Sequence, residues 1–318
     1  MLCNSAQFAP RGAREWLTAL LLRSVVRIAV KPVLSPRVPI PWQRWWLKRL
    51  TPLIRPQRRV EIQDHVLGGV KGEWVRSVRP ANAAQSAAIL YLHGGGYCVG
   101  SPAMYRAVTA RLARATGLPV FVADYRLAPE HPFPAAVDDA VAAYRALLDM
   151  GPVVVAGDSA GGGLALATAL AARQLRLNPP AALILLSPWV DLTTSMLSDR
   201  AARHEAVLSR AWLAACARHY LAAGDPKAPL ASPIYGDLHG LPPTLIQAGA
   251  DELLHSDAVR VHDALTNAGV AGRCEIVPAL WHGFHLHAGM LPAANAAIER
   301  VGRFISCSIA PPVLDPVR

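Results

Sequence analysis

Short apolar segments alternate with alanine-rich segments between residues 87 and 277. The apolar segments have the length of strands, and strands that are apolar throughout are typical of a sheet covered on both faces. Their alternation with helical segments indicates a parallel sheet with crossover helices, so the fold class is α/β. The six predicted strands are Ala87–Leu92, Val120–Ala123, Val153–Ala156, Leu183–Leu186, Thr244–Ala248 and Cys274–Val277.

A predicted hairpin precedes these six strands. Val60–Val66 and Glu73–Val78 are strand-like and are separated by Gly68-Gly69, a typical turn sequence. The expected sheet therefore has eight strands, most of them parallel. The chain has 318 residues and is 53% apolar, which suits one large core, so we expect a single domain over residues 1–318.

Two segments without strands are expected to cover the sheet. Residues 1–55 contain an amphipathic helical pattern, Trp16–Val30, followed by a proline- and tryptophan-rich stretch. Residues 188–230 lie in the longest gap between predicted strands and contain a helical segment, Ser209–Ala222. Because ligands bind at the carboxyl ends of parallel strands, we predict that both segments form a helical cap there.

The charge and cysteine content limit the classes of partner. The net charge is +10, but the basic residues are scattered without basic runs, which argues against a nucleic-acid partner. Arg11, Arg14, Arg23 and Arg27 crowd the apolar N-terminus, so peripheral contact with an anionic membrane surface stays open.

The five cysteines have neither zinc nor disulfide spacing, and no metal or cofactor is expected. We expect a cytoplasmic protein, with peripheral membrane attachment as the alternative, because no stretch has the roughly 20 apolar residues of a membrane span.

A candidate nucleophile lies between a strand and a helix. The sequence Gly157-Asp158-Ser159-Ala160-Gly161 directly follows Val153–Ala156 and opens the helical stretch Gly162–Gln174. A serine between glycines on such a sharp turn has its hydroxyl lifted into the open. The helix N-terminus behind it favours developing negative charge. This context predicts Ser159 as a nucleophile.

A serine nucleophile needs a base and a carboxylate that orients the base. Where the serine lies on a strand-to-helix turn of this kind, the three residues occur along the chain in the order serine, acid, histidine, each just past a strand. Asp251 follows the strand at Thr244–Ala248, and His282 follows Cys274–Val277, so we predict them as acid and base. The competing candidates are Glu252 and Asp257 for the acid, and His285 and His287 for the base.

A run of glycines supplies candidate donors for an oxyanion. His93-Gly94-Gly95-Gly96 follows the strand Ala87–Leu92, and glycines let backbone N–H groups approach a substrate oxygen closely. The N–H group of Ala160, next to the nucleophile, would complete the set. His93 is expected to anchor the loop.

Four motifs together resemble the hormone-sensitive-lipase-like family of α/β-hydrolases. They are His93-Gly94-Gly95-Gly96-Tyr97, Asp124-Tyr125-Arg126-Leu127-Ala128-Pro129-Glu130, Gly157-Asp158-Ser159-Ala160-Gly161-Gly162 and His282-Gly283-Phe284. The resemblance implies an α/β-hydrolase fold with a helical cap, a triad of Ser159, Asp251 and His282, and an oxyanion hole of Gly95, Gly96 and Ala160. The family usually shows Asp-Pro-Leu at the acid, whereas this chain has Asp251-Glu252-Leu253. We interpret the Asp124–Glu130 segment as structural.

The function that the resemblance implies is that of a carboxylesterase acting on short- to medium-chain acyl esters. The same residues would also suit a membrane-active lipase or an amidase or arylformamidase. A non-catalytic ligand-binding protein is a further alternative. His282 argues against it, because the plant gibberellin receptors, which resemble this family, have lost the triad histidine.

Overall fold

The computed structural model describes residues 2–4, 10, 12–53, 59–78, 87–197 and 203–309. These residues form a nine-stranded sheet with helices on both faces. The strands are β1 (Leu2–Asn4), β2 (Val60–Leu67), β3 (Val70–Ser77), β4 (Ala88–Leu92), β5 (Val120–Ala123), β6 (Val153–Asp158), β7 (Ala182–Leu186), β8 (Thr244–Gly249) and β9 (Gly272–Val277).

The sheet is mostly parallel, as the sequence predicts. Its order is β1-β9-β8-β7-β6-β4-β5-β3-β2, and only the β2–β3 and β3–β5 pairs are antiparallel. All eight predicted strands are present, and β1 is a ninth, pairing with β9 at one edge. Gly68 and Gly69 form the predicted hairpin turn, with φ of 59° and 81°, the left-handed backbone that a two-residue hairpin turn requires.

Eight α-helices lie within the described residues. They are α1 (Gly12–Ala29), α2 (Ile40–Leu50), α3 (Arg106–Thr116), α4 (Ala135–Leu148), α5 (Ala160–Gln174), α6 (Arg210–Leu221), α7 (His255–Asn267) and α8 (Pro292–Ile309). Within the described ranges, none of them is long and apolar enough to cross a membrane. Helices α3, α4, α5, α7 and α8 pack against the sheet.

Strand β4 illustrates how the sheet divides the core. Ile89 and Tyr91 belong to one buried cluster, which includes residues of α3 and α8. Leu90 and Leu92 belong to the other, which includes residues of α4, α5 and α7. Alternate residues of a strand point to opposite faces, and both faces are covered here, so β4 is apolar along its whole length.

Helices α1, α2 and α6 come from the two segments predicted to form a cap. The Trp46 indole in α2 donates to the Ala29 carbonyl in α1 at 2.8 Å. The Trp212 indole in α6 donates to Gln43 Oε1 in α2 at 2.9 Å. The described parts of the two segments therefore contact each other, although the division into one domain and a cap of residues 1–55 and 188–230 stays a prediction.

Candidate active site

Ser159 lies between β6 and α5 in a strained backbone conformation. Its φ of 54° and ψ of −123° fall in a region that residues with a side chain rarely adopt. Hydrogen bonds hold this backbone in place: Ser159 N donates to Leu186 O at 2.8 Å, and Gly162 N and Gly163 N donate to Ser159 O at 2.9 and 3.1 Å. The predicted sharp turn is thus present, with Ser159 at its apex.

The glycine run packs directly against this turn. Gly94 N and Tyr91 OH both donate to Asp158 Oδ1 at 3.0 Å. A Cβ atom at Gly94 would lie 2.3 Å from Asp158 Oδ2, so only glycine allows this approach. Because Gly94 N–H is already bonded, the remaining N–H groups of the run that could bind an oxyanion are those of Gly95 and Gly96.

His93 is fully buried between two tyrosine rings. Its ring centroid lies 4.4 Å from that of Tyr125 and 5.4 Å from that of Tyr105. Burial lowers the pKa of His93 to about 4, so it is neutral at neutral pH. Its Nδ1 lies 2.8 Å from Gly94 O, which supports a role as loop anchor.

His282 lines the same cavity as Ser159 and faces Glu252. Its Nδ1 lies 3.7 Å from Glu252 Oε1, an ion-pair distance rather than a hydrogen-bond distance. Both atoms are buried without a hydrogen-bond partner among the described residues. A separation of this length is compatible with a catalytic pair, because catalytic hydrogen bonds are often long in enzymes without bound substrate.

The Glu252 carboxylate is held so that one oxygen remains for the histidine. Its Oε2 accepts hydrogen bonds from Ser187 Oγ at 2.8 Å and from Gly249 N at 3.0 Å. These two donors fix the carboxylate, and Oε1 is left facing His282.

Asp251 does not face His282, contrary to our expectation. Its Oδ2 lies 3.0 Å from Arg23 Nη1 in α1, and its side chain is 26% exposed. The carboxylate beside the histidine is therefore one residue later, at Glu252. Glu252 stands where the family usually has proline, and this departure was the one signal in the sequence that pointed to a second carboxylate at the position of the acid. Asp257, the other competitor, instead accepts hydrogen bonds from the backbone of Val190 and Asp191.

A third carboxylate, Glu205, lies close to the same histidine. Its Oε1 accepts from Val207 N at 2.7 Å, and its Oε2 accepts from Leu253 N at 2.9 Å. It thus connects the segment before α6 to the residue that follows Glu252. No local pattern in the sequence distinguishes Glu205.

The environment of His282 raises its pKa above the ordinary value. Burial is the largest influence and lowers the pKa, but the nearby carboxylate of Glu252 and the charges of Glu205 and Asp158 together outweigh it. Burial in turn raises the pKa of Asp158 to about 7. The site therefore favours the protonated imidazole more than water does.

The alternative histidines are placed differently. His285 Nε2 lies 3.2 Å from Gln247 Oε1, and burial lowers the pKa of His285 to about 3. His287 packs beside Trp281, and burial lowers its pKa to about 4. Neither has a carboxylate within ion-pair distance among the described residues.

The cavity that contains Ser159 and His282 has a volume of about 370 Å³ and a mostly apolar wall. Side chains from α1, α2 and α6 form part of this wall: Leu22, Val26, Leu47 and Trp212. A larger cleft of about 1330 Å³ beside the β2–β3 hairpin is lined by none of the predicted site residues. Within the described ranges, no cluster of histidine, cysteine, aspartate and glutamate side chains could hold a metal ion.

Comparison with known proteins shows the family to which the chain belongs. Residues 89–286 match a family model described as the alpha/beta hydrolase fold. The structure of an esterase from the bacterial hormone-sensitive lipase family superposes with a TM-score of 0.85 at 34% identity, covering 94% of this chain and 99% of that one. The chain belongs to the hormone-sensitive-lipase-like α/β-hydrolases. The resemblance read from the four motifs is confirmed.

Two relatives of this α/β-hydrolase are described by their activity. An acetyl-hydrolase of Streptomyces hygroscopicus is 45% identical over 75% of this chain and 80% of its own length. An esterase of Acinetobacter venetianus is 35% identical over 92% of this chain and 95% of its own length. The predicted enzyme class, a carboxylic ester hydrolase, is confirmed.

Proposed function

We propose that this α/β-hydrolase is a serine carboxylesterase that hydrolyses short- to medium-chain acyl esters through an acyl-enzyme at Ser159. The observation that carries the proposal is the placement of Ser159 and His282 in one apolar cavity, with the fixed carboxylate of Glu252 behind the histidine. Glu252, rather than Asp251, is the acid of the proposed triad.

In the first half of the reaction, Ser159 Oγ attacks the ester carbonyl carbon while His282 Nε2 accepts the hydroxyl proton. The carbonyl oxygen becomes an oxyanion, which the backbone N–H groups of Gly95, Gly96 and Ala160 stabilise. The bond to the alkoxy oxygen then breaks, and His282 gives its proton to the leaving alcohol. In the second half, His282 Nε2 accepts a proton from water while the water oxygen attacks the acyl carbonyl carbon. The bond to Ser159 Oγ then breaks, His282 returns the proton to Oγ, and the carboxylic acid is released with Ser159 regenerated.

The carboxylates around the histidine support its role as base. His282 becomes an imidazolium in each half-reaction, and the negative charge of Glu252 at Nδ1 stabilises that cation and the required tautomer. Glu205 acts as a positioning residue, because its bond to Leu253 N fixes the backbone next to Glu252. Its charge also favours the imidazolium.

The cavity supports small substrates. Its volume of about 370 Å³ lies near the lower end of the roughly 300–1,000 Å³ typical of small-molecule sites. The apolar wall suits an acyl chain, and one relative is described as an acetyl-hydrolase.

A series of p-nitrophenyl esters from acetate to palmitate tests this proposal, with the Ser159→Ala variant as control. We expect kcat/KM to peak at a short or medium chain and the variant to lose the burst of p-nitrophenol. Full activity in the variant would contradict the proposal, and a matched anilide cleaved faster than its ester would favour an amidase. Failure to react with a fluorophosphonate would favour a non-catalytic binding protein.

A membrane-active lipase is the second candidate. It is favoured by the exposed apolar side chains of α1, and a chain-length optimum at palmitate would support it.

A further inference from the structure

Helix α1 turns a largely apolar face to the solvent. Ala19 and Val26 pack against the body, whereas five large apolar side chains elsewhere on the helix are 53 to 76% exposed. These five are Leu17, Leu20, Leu21, Val25 and Ile28, and we call them the α1 apolar face. Exposed apolar surface concentrated on one element marks a site of interaction.

Two tryptophans on the neighbouring helix extend the exposed apolar area. Trp42 and Trp45 of α2 are 62% and 46% exposed, and their rings meet edge to face at 5.4 Å. Tryptophan is enriched where a protein meets the boundary between lipid and water.

The charge of this region identifies the occupant. Residues 12–50 contain eight basic residues and one acidic residue, a net charge of +7 out of +10 for the whole chain. Five of the basic residues are exposed: Arg14, Arg27, Arg37, Lys48 and Arg49. Two copies of the chain that met through this region would bring two such charges together and repel each other. An anionic lipid surface is complementary to both the charge and the apolar face.

The same helix forms part of the active-site cavity. Leu22, Val25 and Val26 line the cavity that contains Ser159. Val25 is also half exposed, so the α1 apolar face reaches the wall of the cavity. A molecule bound at that face would lie beside the route to the nucleophile.

We propose that α1 and α2 dock on an anionic lipid bilayer, with the α1 apolar face inserted at the boundary between headgroups and acyl chains. This deepens the proposed esterase function and rests on it, because docking would present esters dissolved in the bilayer to the cavity.

Co-sedimentation with vesicles tests the docking separately from catalysis. The full chain carrying Ser159→Ala is mixed with vesicles of phosphatidylcholine, or of equal parts phosphatidylcholine and phosphatidylglycerol. We expect binding to the anionic vesicles, weak binding to the neutral ones, and release by high salt. Because this variant is inactive by design, the result does not depend on the proposed reaction.

Two pairs of substitutions in this background separate the apolar from the charged contribution. Leu17→Gln with Ile28→Gln should reduce partition into anionic vesicles by about tenfold or more. Arg14→Gln with Arg27→Gln should reduce partition into anionic vesicles by about 25-fold, because each positive charge that is removed costs about fivefold in binding. Met150→Gln with Leu175→Gln changes two exposed apolar residues outside α1 and α2 and should leave binding to the vesicles unchanged.

The same pairs in the chain with Ser159 intact should hydrolyse p-nitrophenyl acetate at the unaltered rate, which shows that they fold. The docking is refuted if anionic vesicles fail to bind the chain or bind all three pairs equally. Equal binding to neutral vesicles also refutes it. A dimer seen by sedimentation velocity, and lost with Leu17→Gln and Ile28→Gln, would show a second copy to be the occupant instead.

Discussion

Replacing the two adjacent carboxylates one at a time separates their roles. We expect Glu252→Gln to reduce kcat by about 10³- to 10⁴-fold, the loss that follows when the acid of a triad becomes an amide. Asp251→Asn, in the neighbouring position, should reduce kcat/KM by less than about fivefold, because it breaks a partly exposed ion pair worth roughly 0–1 kcal/mol.

The large effect at Glu252 follows from its hydrogen bonds. Gly249 N–H is a fixed donor to the Oε2 position, so the amide oxygen of glutamine must take that place. The amide nitrogen then faces His282 Nδ1 and donates to it. That bond favours the tautomer with hydrogen on Nε2, which cannot accept the proton of Ser159.

The assay is the initial rate and burst of p-nitrophenyl acetate hydrolysis, with circular dichroism to show that both variants are folded. Each variant is the matched control of the other, since they differ by one position in the same turn. A loss of 10³-fold in Asp251→Asn together with near-normal activity in Glu252→Gln would refute the assignment of Glu252.

Three further predictions concern the surroundings of the triad. Removing the negative charge in Glu205→Gln lowers the pKa of His282, so the acid limb of the pH profile of kcat/KM should move to lower pH; an unmoved limb would contradict the charge effect. Gly94→Ala places a Cβ atom against Asp158 and should reduce kcat by about 10²- to 10³-fold, as loss of an oxyanion donor does; unchanged kcat would show that the loop has room. Trp212→Ala enlarges the cavity, so the chain-length optimum should shift to longer p-nitrophenyl esters, and an unmoved optimum would place the acyl chain elsewhere.

Much of the fold could be predicted because buried parallel strands carry a strong local signal. Strand β6 is apolar from Val153 to Ala156 and ends at Asp158, directly before Ser159, so both the strand and the sharp turn after it can be predicted from the sequence. Strand β1 was not predictable in the same way. It is three residues long and depends on pairing with β9, a partner far away in the chain.

The site was predictable where one residue stands out and ambiguous where two compete. Asp251 and Glu252 both follow β8, and the direction of each side chain depends on distant partners. Arg23, 228 residues away, binds Asp251, and Ser187, 65 residues away, binds Glu252. Sequence order alone cannot show which of two adjacent carboxylates faces His282, because that depends on how distant segments of the chain pack against each of them.

The most direct test of the central claim is to identify the residue that carries the acyl group. The enzyme is mixed with p-nitrophenyl acetate, quenched in acid during the burst and digested, and the peptides are analysed by mass spectrometry. We predict an acetyl group on Ser159 in the wild type and none on the corresponding peptide of Ser159→Ala. Acetylation of another residue during the burst, or a burst that persists in Ser159→Ala, would contradict the assignment of the nucleophile.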